Sequence, residues 1–518
     1  MIQRKIISQK KFNTFIKVLP FIFGFIVLLI TWSFCEPLTL ASDEPQNMIY
    51  ASAVIRGQIL LPQAVTNPYP LWEAKVPAWL NNLNSAYTYL GGAGPHGLTA
   101  NINALINKGN LKALIPTRTN LAVLPPFIYF LIGIPTLFSY GIISAYLMRL
   151  VTSILSGIFL GIAFWQLTRH FKTKAAFSGF FLTLTPQTLL LAAVPNLNGL
   201  EIACSISLSV FTGLLITNPD KSEFFKGFCL VGACLCLTRT VSPLWVITLG
   251  LYLLIYLGVK KTIAIFKSKN HLIYFFLLAV CAIATFLWDI IKGRFPGPIL
   301  FNLISNYHSQ PFFERFLLSI QRSAMFYNQA YDWIGGVSPT WASLIWFFLT
   351  LLLVIYAFFA SNKKQRIILV ISVFFNLTIP AILESTQGAT LGNWWRGQYG
   401  MPLYVQTPIL AGIFIANSQH FKNDNASNIT LKKASLFFLA TVLYSFFSEF
   451  YFFYAMIRTY MVGTKGPILL FAVKSNWQPF PAGSYDIWIL INFGLILTAL
   501  LFLYRVKHSN SSQFIDNS

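Results

Sequence analysis

A chain of 518 residues that is 56% hydrophobic and only 10% charged is not a soluble domain, where charged residues approach about 25%. Its apolar runs are continuous and of span length, which excludes the alternating strands of an outer-membrane barrel and predicts an all-α polytopic membrane protein. The net charge of +22 would suggest nucleic acid in a soluble protein; here it reads as basic loops facing anionic headgroups, and no nucleic-acid partner is expected.

Arg4, Lys5, Lys10, Lys11 and Lys17 precede the first apolar run, as in a signal peptide. That run reaches Cys35 without a small-residue cleavage site. Residues 1–17 are therefore expected in the cytoplasm and residues 18–35 as an uncleaved first span. Residues 36–121 form a polar stretch far longer than an ordinary connection, rich in Pro, Gly, Trp and Tyr, which predicts a folded outer loop with interfacial helices. Inside it, Gly91-Gly92-Ala93-Gly94-Pro95-His96-Gly97 has the composition of a phosphate cradle. No strand precedes it and no Lys-Ser/Thr pair follows, so it reads as a turn.

Residues 122–504 hold the remaining apolar runs, near 122–140, 145–168, 174–193, 199–217, 226–240, 242–258, 272–290, 341–360, 366–383, 401–416, 434–455 and 485–504. Leu124-Pro125-Pro126 and Pro135 break the first of these and mark it as re-entrant or interfacial. Twelve or thirteen crossings are expected. Lys260-Lys261, Lys363-Lys364, Lys432-Lys433 and Arg505 with Lys507 belong to the cytoplasm, and residues 505–518 form a cytoplasmic tail. The loops 291–340, 384–400 and 456–485 then share the outer side with 36–121. No internal repeat is visible. Cys35, Cys204, Cys229, Cys234, Cys236 and Cys281 lie in or beside apolar runs without ligand spacing and read as buried thiols.

Chemistry is sought among ionisable residues flanked by apolar sequence at the outer edge: Asp43-Glu44, Glu201, Arg239 and Arg396. Adjacent carboxylates repel unless a cation lies near. Such a pair suits a general base facing a hydroxyl, or a hard-metal site. Neighbours on a helix point about 100° apart, so the two acids are expected to have different tasks. The competing interpretation is an N-cap, with Ser42-Asp43-Glu44-Pro45 opening an interfacial helix.

Asn196, Asn198 and Glu201 occupy a tight turn whose amides and carboxylate could bind sugar hydroxyls, although Asn and Gly are ordinary turn residues. In Gly392-Asn393-Trp394-Trp395-Arg396-Gly397-Gln398-Tyr399-Gly400, an arginine lies among aromatics. Trp and Tyr there fit an interfacial belt, while Arg396 with Tyr399 also suits a lipid phosphate held by forked hydrogen bonds. Arg56 and Arg118 complete the substrate-binding candidates. No metal-ligating set stands out, and no cofactor is implied beyond an optional divalent cation.

Asp43-Glu44-Pro45 after the first span resembles the uncharacterised integral-membrane family numbered 2142 among the domains of unknown function. So do Leu124-Pro125-Pro126-Phe127-Ile128-Tyr129, Arg149-Leu150, Asn196-Leu197-Asn198-Gly199-Leu200-Glu201 and Arg396-Gly397-Gln398-Tyr399-Gly400-Met401-Pro402. The tail Arg458-Thr459-Tyr460-Met461-Val462-Gly463 with Asn476-Trp477-Gln478-Pro479 also fits. The match follows chain order over most of the sequence.

That family is in turn similar to the C-fold-class glycosyltransferases, which keep an acidic pair in the first outer loop and use polyprenyl-phosphate sugars. The resemblance implies Asp43 as the catalytic or metal-binding acid and Glu44 as its partner. Two positions depart from the pattern: Asn47 replaces a frequent histidine and Leu197 a proline, which puts a histidine-based metal site in doubt.

The function implied is transfer of a sugar from a polyprenyl-phosphate donor to a glycan or lipid acceptor of the cell envelope. Membrane lipids surround the chain, and its expected location is a bacterial inner (plasma) membrane. A transporter or flippase of lipid-linked glycans is the alternative and would need ionisable residues along the spans. A non-catalytic envelope assembly component would leave the acidic pair expendable.

Overall fold

The computed structural model describes residues 2–65, 71–90, 96–98, 101–171, 173–292, 312–326, 340–387, 397–418, 428–470, 473 and 475–512. The first helix, α1 (Ile2–Cys35), ends at a turn that leads into α2 (Glu44–Ile55). A three-stranded antiparallel sheet follows, β1 (Gln63–Val65), β2 (Leu71–Pro77) and β3 (Leu114–Thr119), in the order β1-β2-β3. Between β2 and β3 lie α3 (Ala78–Leu90) and α4 (Ile102–Ile106). The sheet is the departure from an all-helical chain. Trp72 pairs with Thr119 and Val76 with Ile115, and the β2 face carrying Ala74 and Val76 is buried. The described residues of 36–121 thus make a small α/β layer resting on the spans.

The short helix α5 (Phe127–Gly133) runs into a 3₁₀ turn (Ile134–Leu137). Then come α6 (Gly141–His170), α7 (Lys174–Thr183), α8 (Pro186–Ala193), α9 (Leu197–Thr217), α10 (Ser222–Cys236), α11 (Ser242–Leu257), α12 (Val259–Lys267) and α13 (Lys269–Ile291). The second half holds α14 (Phe312–Phe326), α15 (Thr340–Ala360), α16 (Lys363–Gln387), α17 (Gly397–Tyr404), α18 (Gln406–Asn417), α19 (Asn428–Val462) and α20 (Tyr485–Ser512).

Among the described residues nine helical stretches are long and apolar enough to cross a membrane, or eleven if the bent pairs α7–α8 and α11–α12 each count as one span. The expectation for the whole chain is twelve or thirteen crossings. The run 122–140 is the short, proline-broken α5 segment, and 226–240 falls on α10, a 15-residue helix that leads from Glu223, paired with Arg169, to Arg239 beside Asn198. The span at Leu197–Thr217 is wholly buried, whereas that at Tyr485–Tyr504 is 11% buried. Helix α9 is therefore the axis of the bundle. Its Ser205, Ser207, Ser209 and Thr212 let neighbouring helices approach closely. Helices α13 and α20 are peripheral and expose Ile273, Phe276, Leu490 and Leu501, as a lipid-facing surface does. Among the cysteines, Cys234 is exposed and Cys281 only partly covered; the other four are buried, and all six are free thiols.

Arg169, Lys261 and Lys364 lie at one end of the bundle. Lys261 pairs with Asp220 at 3.2 Å, Arg169 with Glu223 at 3.9 Å, and Lys364 donates to the Tyr256 carbonyl at 2.7 Å. At the other end the α/β layer is tied to the spans by Leu98 N–H to the Tyr460 carbonyl (3.0 Å), and the segment after α19 is tied to α1 by Phe480 N–H to the Phe34 carbonyl (3.1 Å). Gly97 has φ +88°, and a Cβ there would stand 2.6 Å from the Met461 carbonyl oxygen. That glycine serves close backbone approach, and residues 91–95 of the same motif lie outside the described residues.

Candidate functional site

The turn between α1 and α2 carries two non-glycine residues with positive φ, Thr39 at 82° and Asp43 at 56°. It separates the two adjacent acids. Glu44, fully buried, accepts from Arg149 Nε at 2.5 Å and Nη2 at 2.7 Å, and its Oε2 also accepts from Thr39 N–H at 3.0 Å. The remaining guanidinium protons go to the carbonyls of Ser33 (2.5 Å), Glu36 (2.6 Å) and Pro37 (3.0 Å). These carbonyls lie at the C-terminal end of α1, where backbone acceptors lose their intrahelical donors. Arg149, on α6, therefore caps one helix and anchors the start of another, and Tyr146 lies 5.6 Å beneath it.

Glu36 completes this buried cluster. Its Oε1 accepts from Tyr460 at 3.3 Å, and its Oε2 has no partner among the described residues. Burial pushes its carboxyl up to about 8; Arg149 opposes the shift and Glu44 adds to it.

Asp43 faces another way. It occupies the N-cap position of α2, yet its side chain makes no capping hydrogen bond. The carboxylate is half-buried and receives a 3.4 Å contact from the Ser42 hydroxyl. Asn47 braces the backbone instead: its Nδ2 donates to the Asp43 carbonyl at 2.7 Å, while Tyr129 donates to its Oδ1 at 2.6 Å.

The start of α9 packs against this turn. Asn196 Nδ2 donates to the Ser42 carbonyl at 2.8 Å, and Asn196 Oδ1 accepts from the backbone and side-chain nitrogens of Asn198. Asn198 Oδ1 accepts from Arg239, which also pairs with Glu201 at 3.3 Å and lies 4.7 Å over the Tyr399 ring. Glu201 is held in turn by Ser242 (2.7 Å) and Trp245 (2.8 Å). Tyr129 lies within electrostatic reach of both Asp43 and Arg239. Gly199 makes this junction feasible, since a Cβ there would stand 2.0 Å from the Leu191 carbonyl oxygen.

The fold thus gathers Asn198, Glu201 and Tyr399 around Arg239, and Asn196 joins this group to the turn that carries Asp43. Arg56 lies elsewhere: it ties the far end of α2 to Thr136 through bonds of 2.5 and 2.7 Å, roughly 18 Å along the helix from Asp43. Arg118 is an exposed β3 residue opposite Glu73. Arg396 and the preceding Gly392–Trp395 lie outside the described residues.

A divalent cation needs several oxygen ligands, and among the described residues no three His, Cys, Asp or Glu side chains come together. Glu44 is committed to Arg149, so the donor set around Asp43 does not make a metal site, and no step below uses one. Neither Arg149 nor Glu36 has an evident role in the sequence alone. The available signal was a lone arginine inside an apolar run, which must find a partner.

The bundle, the basic end and the acidic turn at the opposite end define a multi-pass helical membrane protein with a polar site where its α/β layer meets the spans. The chain belongs to the family described as "Predicted membrane protein (DUF2142)", whose model matches residues 25–406. No curated protein matches it. Among solved structures it is similar to the crystal structure of ArnT from Cupriavidus metallidurans bound to undecaprenyl phosphate. The identity is 14% and the TM-score 0.46, over 86% of this chain and 77% of that one.

Proposed function

We propose that the chain is a membrane glycosyltransferase that moves a sugar from a polyprenyl-phosphate donor to a hydroxyl of an envelope glycan or lipid. One observation carries this reading. Asp43 is held at φ 56°, a conformation that costs a non-glycine residue energy, and its carboxylate is spared from capping. Asp43 takes the acceptor proton as the acceptor oxygen bonds to the anomeric carbon. The bond from that carbon to the phosphate oxygen breaks, and polyprenyl phosphate leaves with the electron pair. Arg239, with Nη1 committed to Asn198 and Glu201, offers its remaining edge to that phosphate. Arg396 keeps the same role on its sequence motif alone. Asn198 and Glu201 fix Arg239, and Glu44 fixes the turn.

The test is transfer of labelled sugar from polyprenyl-phosphate donors by the purified chain in vesicles. Asp43→Asn preserves shape, and Asn tolerates the left-handed conformation. Turnover is expected to fall by at least about 10²-fold with donor KM unchanged. Full glycan output in cells carrying Asp43→Asn would overturn the reading.

A further inference from the structure

Helices α1, α6, α7, α8, α19 and α20 line a half-open cavity of about 430 Å³. This is the size of a small-molecule pocket. Its wall is made chiefly of Phe21, Phe25, Phe164, Phe181, Phe446 and Phe502, and one acid lines it, Glu449 on α19. Glu449 is 4% exposed. Its Oε1 accepts from Trp32 Nε1 at 2.9 Å and Asn492 Nδ2 at 2.8 Å, whereas its buried Oε2 has no partner among the described residues.

A buried carboxyl oxygen without a donor is costly. The other lining hydroxyls cannot supply one, because Ser445 donates to the Thr441 carbonyl (3.1 Å) and Thr498 to the Gly494 carbonyl (2.8 Å). An occupant of the cavity can supply it. An ammonium would bring three donors to a wall whose acceptors besides Glu449 Oε2 are the Ser445 and Thr498 hydroxyl oxygens, while a hydroxyl brings one. The α1 wall runs from Pro20 to Leu28, roughly 12 Å of helix, and is matched to an apolar chain. At Gly24, within that wall, an added Cβ would meet nothing within 4 Å.

We infer that this cavity is a binding site for a long-chain lipid alcohol, whose hydroxyl donates to Glu449 Oε2 while its chain lies along α1 among the phenylalanines. The site is separate from the Asp43 turn and stands whether or not the chain transfers sugar.

The test is photolabelling of the purified full chain with a diazirine-bearing dodecanol, competed by dodecanol or by dodecyl methyl ether. Labels are expected on α1 and α19. Dodecanol should compete about tenfold better than the ether, the worth of one buried hydrogen bond. Glu449→Leu should make the two competitors equal. Because that change also strips Trp32 and Asn492 of their acceptor, Gly24→Leu is the second variant: it grows a side chain into open space and should abolish labelling without lowering thermal stability. Equal competition in the unaltered protein, an alcohol preference surviving Glu449→Leu, or full labelling of Gly24→Leu would each overturn the assignment.

Discussion

Asp43 and Glu44 are neighbours in sequence with opposite surroundings. Glu44 is sealed in a bidentate pair with Arg149, and every direction of that guanidinium is used by α1, α2 or their turn. Asp43 caps nothing and stands half-exposed beside a looser group in which Arg239 is shared among Asn198, Glu201 and Tyr399. The contrast teaches that an acidic pair need not act as a pair. One acid fixes the backbone so that the other can be held in a costly conformation, and the two halves should respond differently when cut.

The largest expected effect is on the sealed half. Arg149→Ala leaves Glu44 buried without its cation and the α1 carbonyls without donors, a loss of about 3–5 kcal/mol. Thermal unfolding in detergent and the level of folded protein in membranes measure it. A stable Arg149→Ala protein would break the comparison. On the open side, Arg239→Lys keeps the charge but loses the planar fork. Glu201 retains Ser242 and Trp245, so folding should hold while donor KM rises about tenfold, or 1.4 kcal/mol. A fall in stability without a change in KM would move Arg239 to the structural half.

These outcomes bear on what the sequence could tell. The helical membrane class was legible from the continuous apolar runs, and the family from short motifs in chain order. The α/β layer was less so: its strands are short, and β1 and β2 are separated by proline-rich sequence. The break in 122–140 was legible in its prolines, whereas the apolar length of 226–240 gave no sign that its helix has only 15 residues. At the site, the turn around Asn196 and Asn198 and the flanked charges Glu201 and Arg239 stood out. Their convergence on Asp43 did not, since it depends on packing between α9 and a turn more than 150 positions away (Asn196 to Ser42, 154 apart). Arg149 hid in plain sight, because a single charge in an apolar run carries no record of which acid it meets.

Glu36 sharpens the picture by pH. Its carboxyl titrates near 4.5 when unperturbed and about 8 when folded, chiefly through burial. Between those values the folded chain holds a proton that the unfolded chain has lost, so stability should fall as pH rises from about 4.5 to about 8 and level off above. Arg149 binds the Glu36 carbonyl and not its carboxylate, so Glu36→Gln leaves the clamp in place. That variant should flatten the slope and gain stability over the unaltered protein at pH 8. Melting temperatures measured from pH 5 to pH 9 decide it, and an unchanged slope would remove Glu36 as its source.

The smallest effect tests the boundary of the site. Arg118 was a substrate-binding candidate because it is a cation in the outer stretch, yet it projects from β3 into solvent opposite Glu73. An exposed cross-strand pair of this kind contributes about 0.2–1 kcal/mol at most. Arg118→Ala should therefore shift stability by about 0.5 kcal/mol or less and leave both KM and kcat for sugar transfer unchanged. The neighbouring β2–β3 pairs Trp72–Thr119 and Ala74–Thr117 keep the sheet in register without it. A rise in donor KM comparable to that of Arg239→Lys would extend the site from the α9 junction across the sheet, and the division between a sealed anchor and one compact open group would have to be redrawn.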